Sequence, residues 1–410
     1  MKNIKCKYTV LQQICNLIPP FLVKKLAVKH GVDKQARSFS PWSHVISMLY
    51  VHVAHSLSLN DVVDTLRNHA GVLTTIRSAT PPSRNGLSHA NKIRDADMAE
   101  DLFWSTLKHL QNTYPDFGFG HKYSGVPRRF KRTVVAADST TIQLVANCIS
   151  WAKHRKRKAA AKCHMQLNLQ SFLPEFAIVK SADTHDSTEA YELCANLKDG
   201  EIAVFDKAYI DFKHLCQLDT RGVFWVTRSK DNMRYRIVEE CKTIKSSNII
   251  GDYIIELEKE QSRKKYQRTM RLVIAEVEVN NKTKVMSFIT NNFEWASSSI
   301  CDLYRARWGI EVFFKQIKQT LQLGAFLGYS ENAIRWQVWM AMLAYVLIRF
   351  ISYMGQWKGS FSRLFTLLRG VLTSRLDMYS VMQACYGTAA DNKCVIPAHK
   401  QAYLPGFDSG

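Results

Sequence analysis

Val134-Val135-Ala136-Ala137-Asp138-Ser139-Thr140 is a run of β-branched and small apolar residues that reaches an acid. Ile202-Ala203-Val204-Phe205-Asp206 repeats the pattern. Short continuous apolar runs read as buried strands, and open α/β sheets place their ligand groups just past the carboxyl ends of such strands. Both runs therefore predict a strand ending in a carboxylate, Asp138 or Asp206, at one sheet edge. The common fate of an Asp after a strand is a turn or helix cap. The surroundings weigh against that here: from His121 to Gln170 there are eleven Lys or Arg and one acid, Asp138. A single carboxylate in so basic a stretch is not there for solubility.

Outward from these runs the chain alternates. Further strands are expected at Met165–Gln170, Phe176–Lys180 and Val223–Thr227, with helices at Thr188–Leu197 and Phe212–Leu218. More than a hundred residues separate Asp206 from Glu311, too many for one connection. Within them Met233–Val238, Tyr253–Leu257, Met270–Val279 and Val285–Ile289 alternate like antiparallel strands. Helix returns from Ile300 to Leu321. Upstream the reading is helical: Ser40-Pro41 offers an N-cap with Pro at the first helical position, and Asn60 can cap the next helix. Gly86-Leu87-Ser88 precedes His89, Asn91, Lys92 and Arg94, a short basic helix. The segment from Asn60 to Arg94 is either a helix-turn-helix or an ordinary helical hairpin. Pro127-Arg128-Arg129-Phe130-Lys131-Arg132 is a basic link, and Phe361 to Cys385 reads as helical before a loose end.

In Tyr304-Arg305-Ala306-Arg307-Trp308-Gly309-Ile310-Glu311, extended to Lys318, four residues fall three, four and seven apart. At about 100° per residue, Tyr304, Arg307, Glu311 and Lys318 share one face of a helix. An acid flanked by two cations and a phenol suits a surface that handles phosphate beside a divalent metal. The plain alternative is a solvated face with a Glu311–Lys315 pair. Two strand-end acids upstream tip the balance toward a metal site. Trp308, on the same helix, is expected to pack against the sheet.

A chain of 410 residues has room for two or three domains. Its formal charge of +21 favours a polyanionic partner, and a nucleic-acid backbone is the economical one. A basic membrane-surface protein would want a lipidation site, and neither a myristoylation start nor a prenylation box is present. The ten cysteines form no Cys-x-x-Cys, which with the lack of a signal peptide predicts reduced thiols in a cytoplasmic, nucleoid-associated protein. The apolar stretch Val338 to Met354 contains Arg349 and predicts a buried helix, with no membrane partner.

These residues together resemble the DDE transposases of bacterial insertion sequences, in their fourth family. Its signature of Tyr, two residues, Arg, three residues, Glu, six residues, Lys is matched without a gap by Tyr304, Arg307, Glu311 and Lys318. Asp138-Ser139-Thr140 matches the first acid, and Asp206-Lys207-Ala208-Tyr209 stands two substitutions from the usual Asp-Arg-Gly-Tyr. The basic run Trp151 to Lys158, with Lys162-Cys163-His164-Met165 and His185-Asp186, matches too. The resemblance covers about residues 125 to 350.

It implies an α/β fold: an RNase H-like core interrupted by a β-rich insertion and preceded by an α-helical DNA-binding domain. The borders would be residues 1–125 for the helical domain, 126–229 and 299–350 for the core, 230–298 for the insertion, and 351–410 for a helical end. Asp138, Asp206 and Glu311 would be catalytic and hold two Mg²⁺ or Mn²⁺ ions. Tyr304, Arg307, Lys318, Lys153, Arg155, Lys156, Arg157, Lys158 and Lys162 would contact DNA. The reaction implied is cut-and-paste transposition: nicking at terminal inverted repeats, a hairpin intermediate, its opening, and strand transfer into target double-stranded DNA by a homodimer in the synaptic complex. Relatives hold a flipped base with a side chain on the insertion; Met286 is the candidate, against a plain buried strand methionine. Asp183, Asp186 and Asp211 are rival acids, with Asp211 read as a helix N-cap and His185 and Asp186 as residues that support the metal ligands from behind or as turn residues. Three converging carboxylates repel, so the metal-free site is expected to be poorly ordered or partly protonated. A decayed, non-catalytic DNA-binding protein would lack one of the acids, and a plain two-metal nuclease would need neither the insertion nor the helical domain.

Overall fold

Residues 5–34, 38–119, 126–144, 153–155, 158–181, 186–241, 248–279, 282–321, 323 and 326–385 are described by the computed structural model. The chain divides into two compact units: residues 1–110, 320–328 and 336–410 in one, and 111–319 with 329–335 in the other. These borders differ from those drawn on the sequence.

The first unit opens with α1 (Val10–Cys15), α2 (Leu22–Lys29), α3 (Pro41–Ala54), α4 (Leu59–Asn68), α5 (Ala70–Thr75), α6 (Arg84–Ile93) and α7 (Asp97–Thr113). Ser40 caps α3 as expected, its side chain accepting from the Ser43 amide with Pro41 at the first position. The cap of α4 is Ser58, not Asn60: the Ser58 hydroxyl accepts from the Asp61 amide while the Asp61 carboxylate accepts from the Ser58 amide. On α6, His89 and Lys92 are exposed, but Asn91 and Arg94 face inward at 2% and 8% exposure. Asn91 accepts a 2.7 Å bond from His44, so half of the expected basic face is internal wiring.

The second unit begins its regular structure at α8 (Pro115–Phe119) and is organised by a ten-stranded mixed sheet. Its strands are β1 (Val134–Leu144), β2 (Lys153–Arg155), β3 (Lys158–Asn168), β4 (Pro174–Ser181), β5 (Ile202–Phe205), β6 (Phe224–Arg228), β7 (Tyr235–Glu240), β8 (Ile249–Leu257), β9 (Met270–Val279) and β10 (Lys282–Thr290). The spatial order is β2-β3-β1-β5-β6-β10-β9-β8-β7, with β4 paired to β3. β3 and β4 run antiparallel to their neighbours, while β5 and β6 lie parallel to β1. β1 does not end at Asp138. Its ladder with β3 continues past the acid to Leu144↔Ala159, so polar Ser139, Thr140 and Thr141 stay in the strand. The four strands from Tyr235 to Thr290 extend the same sheet through the β10–β6 ladder.

α9 (Asp186–Leu193) and α10 (Phe212–Thr220) cover the parallel strands. Leu193, Leu215 and Leu218 pack there with Val135, Ala203, Phe205 and Trp225, all 1% exposed or less. After β10 the chain forms α12 (Ser297–Ala306) and α13 (Trp308–Lys315), with the short α11 (Glu260–Lys265) lying between β8 and β9. α14 (Glu331–Met354), α15 (Phe361–Gly370) and α16 (Met378–Ala384) follow. Within the first unit, α14 is the buried helix expected from Val338 to Met354: Trp336 to Ile348 are nearly sealed, and the Trp336 indole donates to the Arg94 carbonyl at 2.7 Å. By length and composition alone α14 would pass for a membrane span, but 83% of its most apolar window is inside the protein.

Candidate active site

β1 and β5 pair in parallel register through Ala137↔Phe205. The next residue on each is an acid, so Asp138 and Asp206 leave the ladder side by side, on strands about 4.8 Å apart. Only relative to β5 does Asp138 lie past a strand end, and that is what opens its carboxylate to the edge. Asp206 stands at the N-cap of a 3₁₀ turn, Lys207–Tyr209, yet its side chain makes no capping bond. The cap alternative is therefore not realised at Asp206. Ala208 replaces the usual Gly without strain, because a 3₁₀ turn uses backbone angles open to any L residue. Tyr209 is buried, with its hydroxyl 3.4 Å from His164 Nδ1.

The signature residues are not on one straight helix. α12 ends at Ala306, Arg307 is the junction, α13 follows, and Gln316–Thr320 widens into a π turn. Gly309 lets α13 approach the β3–β4 turn: a Cβ there would lie 3.1 Å from Leu169 and 3.2 Å from Phe172. This seats Glu311 over β1. The Glu311–Lys315 pair of the plain alternative is not formed; Glu311 pairs with Arg307 instead, at 2.6 Å. The other arm of the same guanidinium reaches Asp138 at 2.9 Å. Tyr304 lies under the guanidinium, 5.5 Å from ring centre to carbon, and packs on Phe288. Lys318, turned by the π segment, donates to the Thr141 carbonyl on β1 at 2.6 Å. Trp308 does not pack against the sheet; it is 62% exposed, because the junction at Arg307 rotates it outward.

Burial sets the electrostatics. It pushes the Asp138 carboxyl up to about 6, reinforced by Asp206 and Glu311 and opposed by the Ser139 amide and Arg307. Burial also raises the Tyr304 phenol and lowers the Lys318 ammonium. For Arg307 burial works against the charge, but Tyr304, Asp138 and Glu311 outweigh it and its pKa rises. The cluster is thus ordered by an internal cation. Among the described residues no three acids, histidines or cysteines stand ready to hold one metal ion together, and Arg307 lies between two of the three acids. The donor set itself is all carboxylate oxygen, the chemistry that suits Mg²⁺ or Mn²⁺.

Of the remaining candidates, Lys162 lies half-buried on β3, in register with Thr141 and Lys180. The side chains of Lys153, Arg155 and Lys158 fall outside the described residues, as do Lys156, Arg157, Asp183 and His185 entirely and the Asp186 side chain. Met286 sits half-buried on β10 opposite Ala275. Asp211 is the N-cap of α10, accepting from the His214 amide at 3.0 Å and from the Tyr191 hydroxyl at 2.8 Å. Arg228, the last residue of β6 and one position beyond the expected strand, emerges beside Asp206 at this edge, and the sequence reading did not single it out.

A family model described as a transposase DDE domain matches residues 129–347, and a domain of unknown function (DUF4372) matches residues 7–76. A probable transposase for insertion sequence element IS5377 of Geobacillus stearothermophilus is 28% identical over 54% of this chain and 58% of its own length. A putative transposase, y4zB, of Sinorhizobium fredii is 28% identical over 60% of this chain and 68% of its own. Transposase InsG for insertion sequence element IS4 of Escherichia coli is 26% identical over 45% of this chain and 42% of its own. The chain thus spans between two fifths and about two thirds of the length of these relatives. A piggyBac transposase synaptic complex with hairpin DNA superposes over 90% of this chain and 78% of that one, at 11% identity and a TM-score of 0.44, a likeness too loose to argue from.

Proposed function

The chain belongs to the transposase DDE domain family, and from that premise we propose that it is a DNA transposase whose Asp138, Asp206 and Glu311 are the catalytic carboxylates. The observation that carries this reading is the arrangement at the shared edge of β1 and β5. Asp138 and Asp206 leave adjacent strands together, and Glu311 shares one guanidinium with Asp138. The strand order β4-β3-β1-β5-β6, with the first three antiparallel and the last two parallel to β1, supports an RNase H-like core.

The three carboxylates would hold Mg²⁺ or Mn²⁺, a pair of which supplies activation of a water or 3′-hydroxyl and stabilisation of the leaving oxygen. The protein's own groups then do the positioning. Arg307 and Lys318 turn from their internal oxygens to DNA phosphates, making charge-assisted contacts, and the Tyr304 hydroxyl adds a third. For Arg307 this requires leaving Asp138. Lys153, Arg155, Lys156, Arg157, Lys158 and Lys162 would track the backbone beside them, and Met286 is our candidate to hold a flipped base. The substrate is double-stranded DNA: terminal repeats are nicked, the freed 3′-hydroxyl forms and reopens a hairpin, and the excised end joins target DNA within a homodimer. The exposed face of α6, with His89 and Lys92, is assigned to DNA contact in the helical region.

The test is one reaction containing a labelled terminal-repeat duplex and a target plasmid. Label appearing first in a nicked end and then in plasmid supports transposition. Nicking without joining would leave a nuclease, and neither product would refute the reading.

A further inference from the structure

β7 is the last strand of the sheet: its inner side pairs with β8, and among the described residues nothing pairs with its outer side. From Arg236 to Glu240 every residue is exposed, and Ile237 and Val238 stand next to each other at 54% and 51%. An open strand edge that also shows adjacent branched apolar side chains is a template for another strand.

The hydrogen bonds to β8 fix which backbone groups are free. The Glu258 amide donates to the Arg234 carbonyl at 3.1 Å, and the Cys241 amide donates to the Asp252 carbonyl at 2.9 Å. Antiparallel ladders alternate, so Tyr235, Ile237 and Glu240 turn their amides and carbonyls away from β8. The step from Ile237 to Glu240 is odd because the register shifts between Ile237 and Glu239, leaving Val238 as the extra residue of a bulge. Such a bulge blunts an edge against most strands, whose free groups come at every second position. It does not blunt the edge against a strand that carries the same bulge in the opposite direction.

We propose that this strand is the β7 of a second copy of the chain, paired antiparallel about a two-fold axis at Ile237. With Val238 extruded on both chains, Ile237 faces its own copy, Tyr235 faces Glu240, and Arg236 faces Glu239. All three outward-facing positions then find hydrogen-bonding partners at once. The charges match as well. Arg236 shares a sheet face with Glu256, to which it donates at 2.6 Å, and Glu239 lies opposite Ile254, on that same face. Each crossing pair therefore sets a guanidinium against a carboxylate, twice per dimer. A slip of the centre onto Arg236 would instead oppose two guanidinium groups. With about five paired residues per chain the contact falls below a standard interface, so a dimer in the micromolar range is expected. The contact needs neither DNA nor metal, so it goes beyond the transposase reading and can fail separately from it.

Sedimentation equilibrium of the full-length protein over ~1 to 100 μM, at about 0.15 M salt to screen its net charge of +21, reads the dimer. Arg236→Glu and Glu239→Lys should each weaken dimerisation about tenfold or more, since each sets like charges opposite one another. Mixing the two variants should restore wild-type affinity, because every crossing pair in the mixed dimer is again of opposite sign. The double variant Arg236→Glu/Glu239→Lys should do the same alone. Ile237→Cys provides a check that survives if loss of the Arg236–Glu256 pair harms folding. Its Cα should lie about 5.5 Å from that of its copy, so mild oxidation should link the chains above the wild-type background. A wild type that stays monomeric to ~100 μM overturns the proposal. So does a dimer indifferent to both charge reversals and not cross-linked through position 237. Cutting of the terminal-repeat duplex by the same preparations reports on the transposase reading alone, whichever way dimerisation falls.

Discussion

Replacing Arg307 by Gln is expected to tighten Mn²⁺ binding to the DNA-free protein. Its guanidinium bridges Asp138 at 2.9 Å and Glu311 at 2.6 Å, occupying ground that a metal would need. At an effective dielectric near 20, two unit charges about 4 Å apart attract by about 4 kcal/mol. Desolvation of a guanidinium at 8% residue exposure offsets much of that gain. If on the order of 1–3 kcal/mol remains to be displaced, removing the cation should tighten Mn²⁺ roughly 10- to 100-fold, at 1.4 kcal/mol per tenfold. Calorimetric titration of full-length protein at pH 8 reads this directly, with near-ultraviolet circular dichroism to confirm folding. Linkage adds a second readout: terminal-repeat DNA that draws Arg307 away should tighten Mn²⁺ on wild type and leave the Gln variant nearly unchanged. Unchanged or weaker Mn²⁺ binding by Arg307→Gln would refute the idea that this arginine stands in for the metal.

Three further outcomes follow from packing. Burial lowers His44 to about 3 and His52 to about 4, whereas the unfolded chain protonates near 6.5. The unfolded state then binds more protons between those limits, so stability falls as pH drops from 6.5 toward 4, by about 2 kcal/mol per histidine at pH 5; equal urea midpoints at pH 7.5 and 5 would contradict this. Arg271 holds buried Asp252 through two bonds of 2.8 and 2.6 Å, and the Asp252 carboxyl is held below its usual range. Arg271→Met should lower unfolding stability by about 3–5 kcal/mol in denaturant titration, through an uncompensated buried charge, and a loss under 1 kcal/mol would sink that account. Trp308 is 62% exposed, so Trp308→Ala should change stability by less than about 0.5 kcal/mol; a loss of several kcal/mol would return it to the core.

Legibility followed locality. β5 and β9 lie where the apolar run and the alternation place them, because one face or both are buried and the side chains say so. The acids at Asp138 and Asp206 were visible as breaks in such runs. The length of β1 was not: Ser139, Thr140 and Thr141 are polar, and only the ladder to β3 keeps them in the strand. The partner of Glu311 was set by the junction at Arg307, and that junction also turned Trp308 to solvent. Asn91 and Arg94 read as a nucleic-acid face because their inward partners, His44 and backbone carbonyls near Phe39, lie about fifty residues away.

If Asp138, Asp206 and Glu311 act as one set on DNA, cutting needs every one of them. Asp138→Asn, Asp206→Asn and Glu311→Gln, assayed singly for Mg²⁺-dependent cutting of a terminal-repeat duplex and for binding of the same duplex, test it most directly. Each variant is expected to lose cutting while binding stays within about threefold, under 1 kcal/mol. Cutting at the wild-type rate by any one of the three would contradict it.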